Sequence, residues 1–273
     1  MSTDAKLYLF AAALIASMGA TISTLEWICS WRQLKDDGLF SWRVIGARKL
    51  TVGPGLLAAF LDRLLSFRPF VCILALRVLF LLYLPYALWF ERAPTLVLLG
   101  IVISSLLLHL RSPWGMDGSD QMLTQVFGAL FLSYLAGSPL AYKAGLFFIA
   151  GQSCLSYLTA GVAKAISKDW QGGKVVFGIF NTRTYGYEPM ARILLNQEAL
   201  NKALTWGAFT MECSFPLVLF AGFPGCLVFV AWGVSFHLMN AVVMGLNSFF
   251  WAFMATYPAV IYCSIVIGGH LYK

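Results

Sequence analysis

Eight stretches of about 20 mostly apolar residues constrain this chain more than any other feature. They fall at 7–28, 69–90, 93–110, 121–138, 142–166, 203–222, 225–245 and 247–270. The hydrocarbon core of a bilayer is about 30 Å thick, and a helix rising about 1.5 Å per residue needs about 20 residues to cross it. A buried core helix of a soluble domain is usually much shorter. Charge separates the two classes: only 11% of the 273 residues are charged, where a soluble domain carries roughly 25%. The runs lack strand-like alternation, so helices are expected and a barrel is not. The expected fold is an all-α, polytopic transmembrane helical bundle of about eight membrane helices plus one or two interfacial helices. Residues 1–273 are read as a single domain. The first run follows Lys6 as a signal peptide would, but it is long enough to span and is read as a retained first helix.

The polar connections give an orientation. The connection 29–68 holds Arg32, Lys35, Arg43, Arg48, Lys49, Arg63 and Arg68. Within it, 55–67 (GLLAAFLDRLLSF) has apolar residues at helical spacing after the Gly53-Pro54-Gly55 break, which suits an interfacial helix. The turn-rich connection 111–120 ends at Ser119 or Asp120, either of which can cap the next helix. The connection 167–202 is also basic, and a second surface helix is expected near 190–200. These three connections share one face, and the positive-inside rule makes that face cytoplasmic, with both termini outside. The net charge of +7 is accounted for by these loops. No nucleic-acid partner is expected, because no arginine-rich stripe with interleaved aromatics occurs. Membrane lipid is the expected surrounding.

The six cysteines, Cys29, Cys72, Cys154, Cys213, Cys226 and Cys263, form no CxxC pair. Most fall inside apolar runs, so they read as buried thiols and not as a disulfide frame or a zinc site, and no metal site is expected. No GxSxG, HExxH, Walker loop or Rossmann fingerprint occurs.

Ionisable groups inside apolar runs mark candidate sites, because hydrocarbon penalises charge. Lys164 lies at the inner end of one run. Tyr157, Gly161 and Lys164, at i, i+4 and i+7, share one helical face, and Gly161 leaves room for a ligand or a neighbouring backbone. Two readings fit Lys164: an amine that snorkels to the interface, or a partly desolvated amine able to act as a base. His237, with Asn240 one turn on, is either a satisfied core histidine or part of a polar pocket. Glu212 must pair, protonate or face a cavity. It is read either as the partner of Arg77 or as a catalytic group, and Pro216 frees a carbonyl near it. Asp120 and Asp117 flank a glycine turn, and the KDWQGG loop at 168–173 adds Trp170 as an aromatic wall.

Three segments carry a resemblance. Gly151-Gln152, YLTAGVAK at 157–164 and DWQG at 169–172 resemble the core of the vitamin K-dependent gamma-carboxylase membrane domain. FHLMN at 236–240 is similar to that family's Phe-His-Cys-Met-Asn segment. Trp206-Gly207, Glu212, Ser214 and Phe220 look like the stretch between, with Glu212 where the family has an aspartate. Asp120 stands where the carboxylase has a histidine, as in bacterial relatives. The wider grouping is the HTTM superfamily, and the sequence resembles one of its small bacterial-type members, which places it in the bacterial inner membrane.

The resemblance implies a site. Lys164 is the base that deprotonates a reduced quinone, reduced menaquinone or vitamin K, with oxygen and carbon dioxide as co-substrates. His237, Asp120 and Glu212 complete the catalytic set, and Tyr157, Gly161, Trp170 and Asn240 line the cofactor. A small secreted peptide or protein is the implied substrate. The alternative is non-enzymatic. Small HTTM relatives resemble a membrane factor that matures a secreted sporulation-delaying toxin, and an accessory role in maturation, export or immunity would leave Lys164 and His237 as polar glue.

Overall fold

The computed structural model describes residues 2–49, 55–112 and 117–271. The Gly53-Pro54 break, the middle of the 111–120 turn and Lys273 lie outside the described residues. Helices make up the fold: α1 (Ser2–Cys29), α2 (Trp42–Lys49), α3 (Leu56–Leu64), α4 (Phe67–Trp89), α5 (Pro94–Arg111), α6 (Gly118–Ala136), α7 (Pro139–Ala165), α8 (Lys168–Gln171), α9 (Val175–Phe180), α10 (Glu188–Asn196), α11 (Glu198–Ser214), α12 (Gly222–Met244), α13 (Asn247–Met254) and α14 (Tyr257–Leu271). Short 3-10 turns occupy Trp31–Leu34 and Phe215–Phe220, and no strand occurs among the described residues.

Seven helical stretches among the described residues are long and apolar enough to cross a bilayer. They are Asp4–Cys29, Phe67–Trp89, Pro94–Arg111, Pro139–Ala165, Glu198–Phe220, Gly222–Met244 and Asn247–Gly269. The protein is an all-α, integral membrane bundle. The eighth expected span falls on the 19-residue helix α6, which is not among the seven; its first half holds Ser119, Asp120, Gln121, Thr124 and Gln125, which lowers its hydropathy. Its cap also differs from expectation. Asp117, not Ser119 or Asp120, is the N-cap, and its carboxylate accepts from the Asp120 N–H at 2.8 Å and from the Ser119 hydroxyl at 2.7 Å. The first basic connection holds α3 as expected and also α2, while the second holds α8, α9 and α10.

The chain divides into two compact units, residues 1–145 and 146–273, with α7 running through the division. In the first unit, α1, α4 and α5 are joined by the buried guanidinium of Arg77. It donates to Thr24 Oγ1 (3.1 Å), the Ile101 carbonyl (3.1 Å), Ser104 Oγ (3.1 Å) and Ser105 Oγ (2.6 Å). A buried cation persists in hydrocarbon only when its donors are met in this way. Arg111, fully buried at the end of α5, donates to the Leu34 carbonyl (2.9 Å) and to the Phe40 carbonyl. That fixes the start of the first basic connection over a cluster of Leu34, Trp42, Ile45, Leu65, Phe70 and Leu74.

The second unit holds the rest of α7, then α11 to α14 with the short helices α8 to α10. Pro216 ends the α-helical run of α11, and the chain tightens into the 3-10 turn Phe215–Phe220. Ser264 of α14 donates to the Val218 carbonyl at 2.7 Å. The Val218 carbonyl also accepts from the Ala221 N–H at 3.3 Å, and the Ser264 hydroxyl ties the turn to another helix. The last expected span is broken at Ala255, between α13 and α14. Buried Thr256 there donates to Ser153 Oγ of α7 at 2.9 Å.

Candidate functional site

The face of α7 that carries Tyr157, Gly161 and Lys164 is an interior face. At Gly161 the neighbour is α11 itself. A Cβ built there would lie 2.6 Å from the Cys213 backbone nitrogen and 2.9 Å from Glu212 Cβ. Glycine lets the two helices approach this closely, so the space expected for a cofactor is filled by α11. One turn on, Lys164 Nζ lies 2.6 Å from Glu212 Oε1 and 2.5 Å from Oε2. Glu212 is 3% exposed. Its partner is therefore Lys164, and Arg77 belongs to the network of the first unit. The Lys164 side chain keeps 23% exposure, with its amine 5.3 Å from the centre of the Trp170 ring. Trp170 is held there because Gln171 of α8 donates to the Ala165 carbonyl at 2.8 Å and accepts from Trp206 Nε1 through its own carbonyl at 3.2 Å.

Two turns toward the middle of α7, Tyr157 Oη lies 2.8 Å from His237 Nε2 and 2.7 Å from Tyr257 Oη. All three side chains are buried. Gly233, one turn before His237 on α12, makes the room: a Cβ there would lie 2.2 Å from Tyr257 Oη and 3.1 Å from Tyr157 Oη. The imidazole stacks on Phe253 at 4.2 Å between ring centres, and Tyr157 stacks on Phe215 at 3.9 Å. His237 Nδ1 is buried with no hydrogen-bond partner.

These contacts fall into two polar clusters on one face of α7, Lys164–Glu212–Trp170 and His237–Tyr157–Tyr257, about 10 Å apart along the helix by its rise per residue. Residues 142–265 match the HTTM domain model. The HTTM segment thus runs from the first turns of α7 into α14 and contains both clusters. A comparison with curated proteins and one with solved structures each returned no match.

The other expected site residues take separate places. Asn240, in the HTTM segment three residues beyond His237, is half-buried, and its main-chain carbonyl accepts from Leu246 N–H at 3.2 Å. Asp120 precedes the HTTM segment and lies in the first unit, outside the seven candidate spans. A cavity of about 610 Å³ in the first unit is lined by Asp36, Trp42, Arg43, Asp62 and Ser66 among others, and no expected site residue lines it.

Tyr257 was not singled out from sequence. Its signal is the polar pair Thr256-Tyr257 directly before Pro258 in an apolar run. A phenol carries no formal charge, so a search for ionised groups in hydrocarbon passes over it. Among the described residues no group of three or more His, Cys, Asp or Glu side chains has the arrangement of a metal site.

Proposed function

We propose that this HTTM-type membrane protein is an enzyme of a bacterial cell membrane that takes a reduced membrane quinone, with the Lys164–Glu212 pair as its base and His237 orienting a ring oxygen. The observation that carries the reading is an amine–carboxylate pair and an enclosed imidazole with an unbonded nitrogen, which meet one face of α7 through Lys164 and Tyr157. Both features belong to the HTTM segment. Apolar and aromatic walls from Phe215, Phe236 and Phe253 suit a flat ring.

Reduced menaquinone or vitamin K, with oxygen and carbon dioxide as co-substrates, supplies the redox chemistry when bound. The residues handle protons and position. As an ion pair, Lys164 has no free lone pair. It passes one proton to Glu212 across the 2.5–2.6 Å bridge, and the neutral amine then accepts a proton from a ligand hydroxyl. Trp170 covers the amine and limits competing water.

Oxygen-dependent oxidation of reduced menaquinone by the purified protein tests this. We expect activity in the wild type and its loss in Lys164→Ala. Equal rates for the two proteins overturn the reading. The non-enzymatic alternative, an accessory factor for a secreted peptide, is favoured by one observation: Lys164 and Glu212 satisfy each other as interhelical glue. Under that alternative a Lys164→Met, Glu212→Leu double variant keeps its cellular activity in peptide maturation or export. Under the enzymatic reading it has none.

A further inference from the structure

We infer that Tyr157, backed by Tyr257, fixes the tautomer of His237 so that Nδ1 carries the proton and the imidazole meets its ligand as a hydrogen-bond donor. The inference rests on the proposed ligand site and sharpens it. The oxygen taken there must be an acceptor, a carbonyl or an oxyanion, and His237 is an orienting donor and not a second base.

The argument is an account of protons. Two short contacts join three groups, Tyr257 Oη to Tyr157 Oη at 2.7 Å and Tyr157 Oη to His237 Nε2 at 2.8 Å. Each contact needs one proton, and each phenol has one to give. The ring contacts of His237 are Tyr157, Phe236 and Phe253, none of them a carboxylate, so the neutral imidazole is the form to consider.

Suppose that Tyr257 donates to Tyr157 and Tyr157 donates to Nε2. Both phenol protons are then used, and one group stays unmet, the Nδ1–H. Suppose instead that Nε2–H donates to Tyr157 and Tyr157 to Tyr257. The Tyr257 proton then has no acceptor, and the Nδ1 lone pair has no donor. If Tyr157 accepts from both neighbours, its own proton is stranded and Nδ1 is again bare. Only the first arrangement leaves a single orphan. Tyr157, Tyr257 and His237 are all at least 96% buried, with 2%, 4% and 4% exposure, so water cannot supply the missing partners and every orphan counts.

The remaining orphan is a donor and points to what the site takes. In the conformation described, Nδ1 is out of contact with solvent, so an incoming oxygen takes the place of packed side chains. A quinone carbonyl, a deprotonated quinol oxygen and a fatty-acid carboxylate all offer the required acceptor.

The test reads the ring nitrogens directly. Protein labelled with 15N-histidine is reconstituted in lipid bilayers and studied by solid-state NMR. The chain has three histidines. The His237 signals are identified by their loss in His237→Gln, or by their retention in a His109→Gln, His270→Gln variant if the first does not fold. We expect a protonated, pyrrole-type Nδ1 and a pyridine-type Nε2. Tyr157→Phe should abolish that fixed pattern. Tyr257→Phe, which removes a hydroxyl from an equally buried site, should keep it, and that contrast separates positioning from packing. A wild-type ring protonated at Nε2 overturns the inference whatever the ligand.

Menaquinone and a long-chain fatty acid are then added separately. A shift of the Nδ1 signal with menaquinone supports both the inference and the quinone reading. A shift with the fatty acid alone keeps the inference and overturns the quinone reading. No shift with either overturns the ligand half of the inference.

Discussion

At the scale of single residues, the Lys164–Glu212 bridge decides how the second unit tolerates change. Removing one partner leaves a buried charge uncompensated, which typically costs about 3–5 kcal/mol, whereas replacing both with apolar groups is often neutral. Lys164→Met alone, which strands the buried Glu212 carboxylate, should therefore lower thermal stability much more than the Lys164→Met, Glu212→Leu pair, measured by unfolding in detergent.

Lys164, Glu212 and His237 were legible in the sequence because each interrupts an apolar run. Which of them pair was not, because pairing depends on which helices are neighbours. In sequence Arg77 is as good a partner for Glu212; the close approach of α7 and α11 at Gly161 decides for Lys164. The Tyr257 contact was illegible for the same reason: it joins residues 100 positions apart.

At the scale of elements, glycine and proline set the packing that the site needs. Gly161→Val would place a branched side chain against the Cys213 backbone, which cannot retreat as a flexible side chain can. We expect a loss of about 1–3 kcal/mol in stability, together with longer Lys164–Glu212 contacts, checked by thermal melting and by a weakened coupling between Lys164 and Glu212 in a double-mutant cycle. The interruption at Pro216 was readable from sequence, and the structure adds the bond from Ser264 to the Val218 carbonyl that ties the following turn to α14. The break between α13 and α14 was not readable from apolar periodicity, because Thr256 and Tyr257 leave the run long and oily enough to look continuous.

At the scale of the molecule, the membrane bundle follows from hydrophobic length alone, while the number of crossings depends on α6. That helix has 19 residues, about 28 Å at the usual rise and close to a bilayer's core. Its polar groups are partly answered within the first unit: the Thr124 hydroxyl donates to the Asp120 carbonyl at 2.8 Å, and Ser133 is buried and donates to the Ala129 carbonyl at 2.7 Å. We expect α6 to cross. Single cysteines placed at Asp117 and at Ser138 should then react with a membrane-impermeant thiol reagent from opposite faces, and labelling from one face would remove α6 from the count of crossings.

The 23% exposure left to Lys164, one residue from the end of α7, has a practical result. An amine sealed in the middle of the bilayer could be used once and would then need a relay to recover its starting state. On the proposed function, an amine at a helix end beside an indole needs no long relay to regain its starting state between turnovers.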